Sequence, residues 1–373
     1  MKITIDGIIY QVQQFGGVSR LFSEILPRMC DQAENLSIEL FTTGRLARPA
    51  PAHEKINHCN IPQVSRYLRP NRVFAPLLPG MEKLVRRHWM GNGKDRIWHS
   101  TYFTMPEKWE GKQVVTVHDM IYEKFPEIYN DPHSDRFRRL KANCVDSADS
   151  VICVSETTRR DVEIRFNLSG KRVYIIYPAV DPVFRKMTPQ ELMGHEIPAK
   201  PFLLYVGRRS HNKNFELLAC VYSQWGNRRD VDLVVIGEPW SAEERQKINA
   251  LNIGDIRLAT RIDDFYLSGL YNLAVGLVYP SVYEGFGLPL VEAMACGCPI
   301  IASMIPSTLE IAGDVPIYFD ADDPESLLQA LNRAVTKERG AREANGLARS
   351  RLYSWDNSAA KTLNVYRDLI AGS

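Results

Sequence analysis

The chain has 373 residues, of which 45% are hydrophobic and 24% charged. That length suits two domains, and the balance is that of a globular protein with a sizeable core. A formal net charge of only +2 excludes a global nucleic-acid signature, and no apolar run approaches the roughly 20 residues that a membrane span needs.

The first residues, Met-Lys-Ile-Thr-Ile-Asp-Gly, read directly as a strand. They lack the charged start, apolar stretch and small-residue cleavage site of a signal peptide, so a cytoplasmic protein is expected. Seven cysteines follow no regular framework, and contexts such as Val-Ile-Cys153-Val read as reduced core positions. β-rich runs at 2–5, 38–42, 113–117, 150–154, 173–176, 202–206, 231–236 and 275–279 alternate with amphipathic stretches at 18–30, 156–165, 214–224, 241–250 and 324–336. The alternation predicts an α/β fold with parallel sheets covered by helices on both faces. A polar stretch holding Pro189, Gly194 and Pro198 separates two such series. We therefore expect two doubly wound domains, 1–180 and 181–354, with ligands in a cleft at the carboxyl ends of their strands.

Gln14-Phe-Gly-Gly-Val-Ser-Arg follows the first strand and opens the first long helix. Gly16 and Gly17 would let the backbone approach a ligand closely, or simply make a tight connection. The Gly-x-Gly-x-x-Gly spacing of a dinucleotide oxidoreductase is absent. Between 65 and 96, eight basic residues face only Glu82 and Asp95, interleaved with apolar ones from Leu68 to Trp89. This segment reads either as a solvated helical hairpin or as a contact for an anionic membrane surface or a lipid-linked acceptor. Val114-Val-Thr-Val-His-Asp ends a strand with His118 and Asp119. His118 either satisfies local hydrogen bonds or points into the cleft.

In the second half, Tyr205-Val-Gly-Arg-Arg-Ser-His-Asn-Lys-Asn-Phe places Arg208 and Lys213 on either side of a strand-to-helix turn. A guanidinium and an ammonium both match phosphate oxygens, with Arg209 the lesser candidate. Asp263, in Arg-Ile-Asp-Asp, either caps the next helix or meets a nucleobase. Glu284-Gly-Phe-Gly-Leu-Pro-Leu-Val-Glu292 is the most informative stretch. A strand, a glycine turn and a helix opened by Pro289 put backbone N–H groups and a positive helix end where an anion can sit. Carboxylates at both ends are good acceptors for sugar hydroxyls. A diphosphate flanked by two sugars would satisfy all these groups. Asp320-Ala-Asp322 has the spacing of a metal motif, but it precedes Pro324-Glu-Ser-Leu-Leu and reads as a turn and helix cap. His99, His118 and His211 are not spaced as a zinc set, and Cys296 and Cys298 have no partner ligands nearby in sequence, so no essential metal is expected.

The Glu284–Glu292 stretch, continuing through Ala-Met-Ala-Cys-Gly-Cys-Pro-Ile-Ile-Ala-Ser to Glu310, resembles the Glu-x7-Glu motif of retaining glycosyltransferases of the GT-B fold in family 4. The resemblance extends over essentially the whole chain and is most specific from 202 to 312. It implies two Rossmann-like domains facing across a cleft, an acceptor-side domain at 1–180 and a nucleotide-sugar domain at 181–354. Residues 355–373 would hold a last helix crossing back to the first domain. It also implies a retaining, metal-independent hexosyltransferase whose co-substrate is a nucleotide-diphosphate sugar, with no other cofactor. The acceptor would be a glycan or lipid-linked, in bacterial-type polysaccharide or glycoconjugate synthesis.

Carried over residue by residue, Arg208 and Lys213 would hold the donor diphosphate, and Glu284 and Glu292 the transferred sugar and the ribose. The backbone of Gly285, Phe286, Gly287 and Leu288 would assist. Gly16 and Gly17 would face the donor, and His118 would lie beside the transferred sugar. Asp263 matches a carboxylate of guanine-using mannosyltransferases, which favours GDP-mannose over a UDP-sugar. A non-catalytic nucleotide-sugar-binding protein of the same fold and a GT-B epimerase are the competing readings.

Overall fold

A computed structural model of the chain describes residues 1–14, 16–62, 78–106, 108–192, 198–253, 256–260, 262–336 and 339–372. The basic residues from Arg66 to Arg72 lie outside the described residues, as do the side chains of Lys83 and Arg86. The chain divides into two compact units, Met1–Pro178 together with Trp355–Ser373, and Ala179–Ser354.

The first unit is built on β1 (Lys2–Asp6), β2 (Ser37–Thr43), β3 (Ile56–Ile61), β4 (Ile97–Ser100), β5 (Gln113–Val117), β6 (Ser150–Cys153) and β7 (Arg172–Ile175). They form one sheet in the order β3-β2-β1-β4-β5-β6-β7, parallel throughout. Helices cover both faces of such a sheet, so its central strands read as nearly unbroken apolar runs. Ile3, Ile5, Ile38, Leu40, Val115 and Val151 are accordingly buried. The main helices are α1 (Gly17–Gln32), α2 (Leu78–Met90), α3 (Pro132–Ser147) and α4 (Glu156–Arg165). Asp131 and Ser155 cap α3 and α4 through their side chains.

The terminal helix, Trp355–Ala371, belongs to this unit and packs on α1. Trp355, Ala359, Thr362, Leu363, Tyr366 and Leu369 recur at helical spacing and are buried. The Tyr366 hydroxyl lies 2.6 Å from Nδ1 of His99 in β4, and Nε2 of His99 lies 2.8 Å from the Thr116 hydroxyl in β5. Burial, with a smaller contribution from the His118 charge, pushes the His99 pKa down to about 3, so the ring is a neutral hydrogen-bonding bridge.

The second unit repeats the plan with β8 (Phe202–Val206), β9 (Asp232–Ile236), β10 (Arg257–Ala259), β11 (Gly276–Tyr279), β12 (Ile300–Ser303) and β13 (Ile317–Phe319). The order is β10-β9-β8-β11-β12-β13, again parallel. Its helices include α5 (Phe215–Gln224), α6 (Ala242–Ala250), α7 (Asp264–Leu273), α8 (Leu288–Ala295), α9 (Pro306–Ala312) and α10 (Pro324–Thr336). Leu203, Leu233, Val235, Val278 and Ile301 from the strands meet Leu218, Tyr222 and Leu331 from the helices in one core. Asn272 on α7 ties the leading segment into this unit, accepting from Met187 N and donating to Arg185 O, both at 2.9 Å.

Candidate functional site

The expected site residues fall into two groups, one in each unit. In the second unit, β8 and β11 are neighbours, with β9 and β10 beyond one and β12 and β13 beyond the other. Where strand order reverses in this way, the loops at the carboxyl ends diverge and leave a crevice. Arg208 to Lys213 lie after β8, and Ser281 to Gly287 after β11. Two hydrogen bonds join these loops: Val282 N–H donates to Asn212 O at 2.8 Å, and the Asn212 amide donates to Tyr283 O at 3.3 Å.

The joined loops bring Lys213 and Glu284 together. Lys213 Nζ stands 2.5 Å from Glu284 Oε1, and the Ser281 hydroxyl donates to that same oxygen at 2.7 Å. The ammonium also lies 5.4 Å from the centre of the Tyr279 ring. Glu284 is only 8% exposed, so both the ion pair and the hydroxyl are needed to hold a carboxylate there. Burial and the Glu284 charge push the Tyr279 phenol well above its ordinary pKa.

Gly285 to Leu288 turn the chain from Glu284 into α8. Gly287 has φ of 108°, in the region that favours glycine. A Cβ there would stand 3.1 Å from a Leu290 methyl and 3.2 Å from the Tyr279 hydroxyl. Pro289 lies in the first turn of α8, as its spacing from Glu284 predicts. Phe286 is buried edge-on against Tyr353, so any role it has toward a donor is through its backbone.

The two arginines differ sharply. Arg208 is exposed and pairs with Glu238 at 3.3 Å. Arg209 is 4% exposed at the side chain, pairs with Glu244 at 2.7 Å, donates to the Glu238 and Pro239 carbonyls, and stacks 4.3 Å from the Trp240 ring centre. Arg209 therefore fastens α6 to the β8 loop, and Arg208 is the guanidinium that a ligand can reach.

Glu292 lies on α8, buried, and accepts from the Tyr271 hydroxyl at 3.0 Å. Tyr271 is on α7, whose N-cap is Asp263: its Oδ1 accepts from Tyr266 N–H at 2.7 Å. The capping alternative for Asp263 is thus realised, and one of its oxygens is committed to the helix. Asp320 Oδ1 accepts from Asp322 N–H, and Asp323 accepts from Glu325 N–H at the start of α10. The metal-like spacing is a turn, and the residue after it, Asp323, is the cap.

In the first unit, Gly16 has φ of 156°, and a Cβ there would run into the Gln13 side chain. Gln13 folds over the turn, and its Oε1 accepts from Ser19 N–H at 2.8 Å, which caps α1 from outside. Gly17 opens that helix. Phe22, one turn further on, meets the rings of both His99 and His118 edge-on. His118 lies just past β5, and its Nε2 donates to Thr101 O at 2.9 Å. Burial lowers its pKa to about 4, so the ring is neutral at pH 7 with Nδ1 as an acceptor. Lys141, fully buried, pairs with Glu123 at 2.8 Å and donates to the Asp119 carbonyl at 2.9 Å, bracing the turn after His118.

Sequence reasoning missed several residues that shape these groups. Ser281, Tyr271 and Tyr279 are ordinary in sequence, and only the fold brings them to the carboxylates, while Asn212 joins the two loops. Asp6 had one signal, a carboxylate ending the first strand. It is buried and accepts from the Thr101 hydroxyl at 2.7 Å, and from the Ser100 hydroxyl and Thr101 N–H, both at 3.1 Å, and burial raises its pKa.

Two family profiles match the chain: "Glycosyltransferase Family 4" over residues 15–184 and "Glycosyl transferases group 1" over residues 193–350. O-antigen chain mannosyltransferase B of Escherichia coli is 28% identical, over 94% of this chain and 96% of that protein. Sucrose-phosphate synthase from Thermosynechococcus elongatus superposes with a TM-score of 0.76 at 19% identity, over 100% of both chains. Anabaena HepE in complex with UDP and glucose superposes with a TM-score of 0.73 at 17% identity, over 99% of this chain and 100% of its own. With the two profiles spanning most of the sequence and the two-sheet fold superposing over its whole length on a known glycosyltransferase structure, the chain belongs to the GT-B glycosyltransferases of family 4.

Proposed function

We propose that the protein is a retaining hexosyltransferase that moves a sugar from a nucleotide-diphosphate donor to a glycan or lipid-linked acceptor in polysaccharide synthesis. One observation carries this reading: Lys213 and Glu284 meet at the strand-order reversal between β8 and β11, beside the start of α8. A fixed cation, a sugar-hydroxyl acceptor and a positive helix end converge there. Arg208 and Lys213 would stabilise the charge developing on the departing diphosphate. Glu284 would hold hydroxyls of the transferred sugar and Glu292 those of the ribose. Gly16, Gly17 and His118 are the first unit's own candidates for ligand contact, the neutral His118 ring acting through hydrogen bonds rather than charge.

The bond from the anomeric carbon to phosphate breaks as the acceptor oxygen forms its own bond on the same face. The acceptor's proton passes to the departing phosphate oxygen. Donor and acceptor supply this chemistry, with no cofactor and no metal. Mannose is the favoured sugar and GDP the favoured carrier, supported by the likeness to an O-antigen chain mannosyltransferase and by Asp263; a UDP-sugar is the alternative. Among the described residues no helix is long and apolar enough to cross a membrane. The basic segment 65–96 would hold the protein on an anionic inner membrane face, with Met81, Leu84 and Trp89 of α2 exposed there.

The test is a thermal-shift panel of nucleotide sugars, followed by turnover of the best donor in the presence of a chelator. Product anomers read by NMR should keep the donor's configuration. Stabilisation by no nucleotide sugar would overturn the reading. Activity lost in chelator and restored by magnesium or manganese would overturn metal independence.

A further inference from the structure

The Lys213–Glu284 contact raises a difficulty for its own site. A diphosphate held by Lys213 must sit beside a carboxylate already bound to the same ammonium. Two anions competing for one cation at such distances repel each other by several kcal/mol at an effective dielectric constant of about 20. The carboxylate cannot simply turn to bulk water, because Glu284 is nearly buried and the Ser281 hydroxyl fixes the shared oxygen. Lys213 is more mobile in principle: its side chain is 20% exposed against 10% for Glu284, and it leaves a short helical turn, His211–Lys213.

Resting on the reading of this site as a nucleotide-sugar site, we propose that Glu284 is an internal counter-ion that the donor's diphosphate displaces from Lys213. An intact donor compensates Glu284, because hydroxyls of the transferred sugar donate to the carboxylate as the ammonium leaves it. A nucleoside diphosphate that has lost its sugar offers no such donors. Glu284 then competes for Lys213 and favours release of the spent nucleotide. One carboxylate thus discriminates the donor from its product, by an attraction in one case and a repulsion in the other. The Asn212–Tyr283 and Val282–Asn212 bonds keep the two loops together during the exchange, so only side chains need to move.

The test is calorimetric binding of GDP, UDP and inorganic pyrophosphate to the full chain, as wild type, Glu284→Gln, Glu284→Ala, Lys213→Met and the Lys213→Met/Glu284→Gln double variant. Glu284→Gln keeps the size of the side chain and the Ser281 contact. Glu284→Ala serves as a second neutral variant, and thermal midpoints report whether each is folded. Both neutral variants should bind the preferred nucleoside diphosphate on the order of tenfold tighter than wild type. The gain should largely vanish in the Lys213→Met background, as the cycle requires for two residues acting through one contact. With the intact nucleotide sugar the gain should be absent or reversed, and product inhibition should deepen. Unchanged or weaker nucleoside diphosphate binding in the folded neutral variants overturns the exchange while leaving the nucleotide-sugar reading in place. Binding of none of the three probes to any form overturns both.

Discussion

The Tyr271 hydroxyl on α7 donates to Glu292 Oε2 on α8 at 3.0 Å. Both residues are buried, and burial, with the Glu292 charge next, raises the Tyr271 pKa well above its ordinary value. The phenol therefore stays protonated and orients the carboxylate. Tyr271→Phe should raise KM for the donor about tenfold, the order expected for losing a hydrogen bond to a charged group, with little change in kcat. Steady-state kinetics with varied donor checks this. An unchanged KM would show that Glu292 needs no such orientation.

The two arginines and Lys213 should separate stability from catalysis. Lys213→Ala should lower turnover by roughly 100-fold or more, as loss of a preorganised charge contact does. Arg208→Ala should lower turnover without changing the denaturation midpoint, because its partner Glu238 is exposed. Arg209→Ala should cost about 2 to 3 kcal/mol of stability by removing a buried partner of Glu244 and Trp240. Chemical denaturation and initial rates on the three variants decide it. A stable but inactive Arg209→Ala would reverse the roles given to the two arginines.

Acid should weaken the first unit. His118 and His99 have folded pKa values lowered to about 4 and about 3 by burial. Below the unfolded histidine value of about 6.5, the unfolded chain binds protons that the folded one refuses. Stability is therefore complete above that value and falls as pH drops from 6.5 toward 4 and then 3. Asp6, raised by burial, works in the opposite direction, since the folded state keeps its proton as pH rises above the unfolded carboxyl value. Urea melts at pH 5 and 7 should show lower stability at pH 5, with a smaller difference in His99→Gln. Equal midpoints in the wild type would count against neutral burial of both rings.

The basic segment should act through charge. Neutralising Arg69, Lys83, Arg86 and Arg87 together should abolish binding to anionic vesicles, at about 1 kcal/mol per residue near the surface. Wild-type binding should weaken with salt as screening shortens to about 10 Å at 0.1 M. Hydrolysis of donor in solution should be unaffected. A wild-type protein that ignores anionic vesicles in a low-salt flotation assay would leave the segment as a solvated face.

Much of the fold was legible because its signals are local. Helices at 156–165 and 324–336 have the bounds that their periodicity and caps predict. The central strands are apolar runs because both faces of a parallel sheet are covered. Five strands lie outside those runs. β3 carries His58, Cys59 and Asn60 at the sheet edge, and β4 carries His99 and Ser100, buried polar residues whose partners are distant in sequence. β10 and β13 are three residues long, too short for alternation or run length to mark, and β12 (Ile300–Ser303) follows closely on the apolar α8, with only a short turn between.

By itself the sequence determined the α/β alternation, the glycine turn into α8 and the carboxylates at its two ends, since each depends on residues within one or two turns of chain. Only the tertiary structure decided which groups meet. Lys213 finds Glu284 because β8 and β11 pair at the point where strand order reverses. Arg209 is drawn into Glu244 and Trp240, and Tyr271 onto Glu292. Such pairings follow from burial. A polar group removed from water must find a partner within about 3 Å, and the packing of the sheets, not the spacing in the chain, determines which one is there.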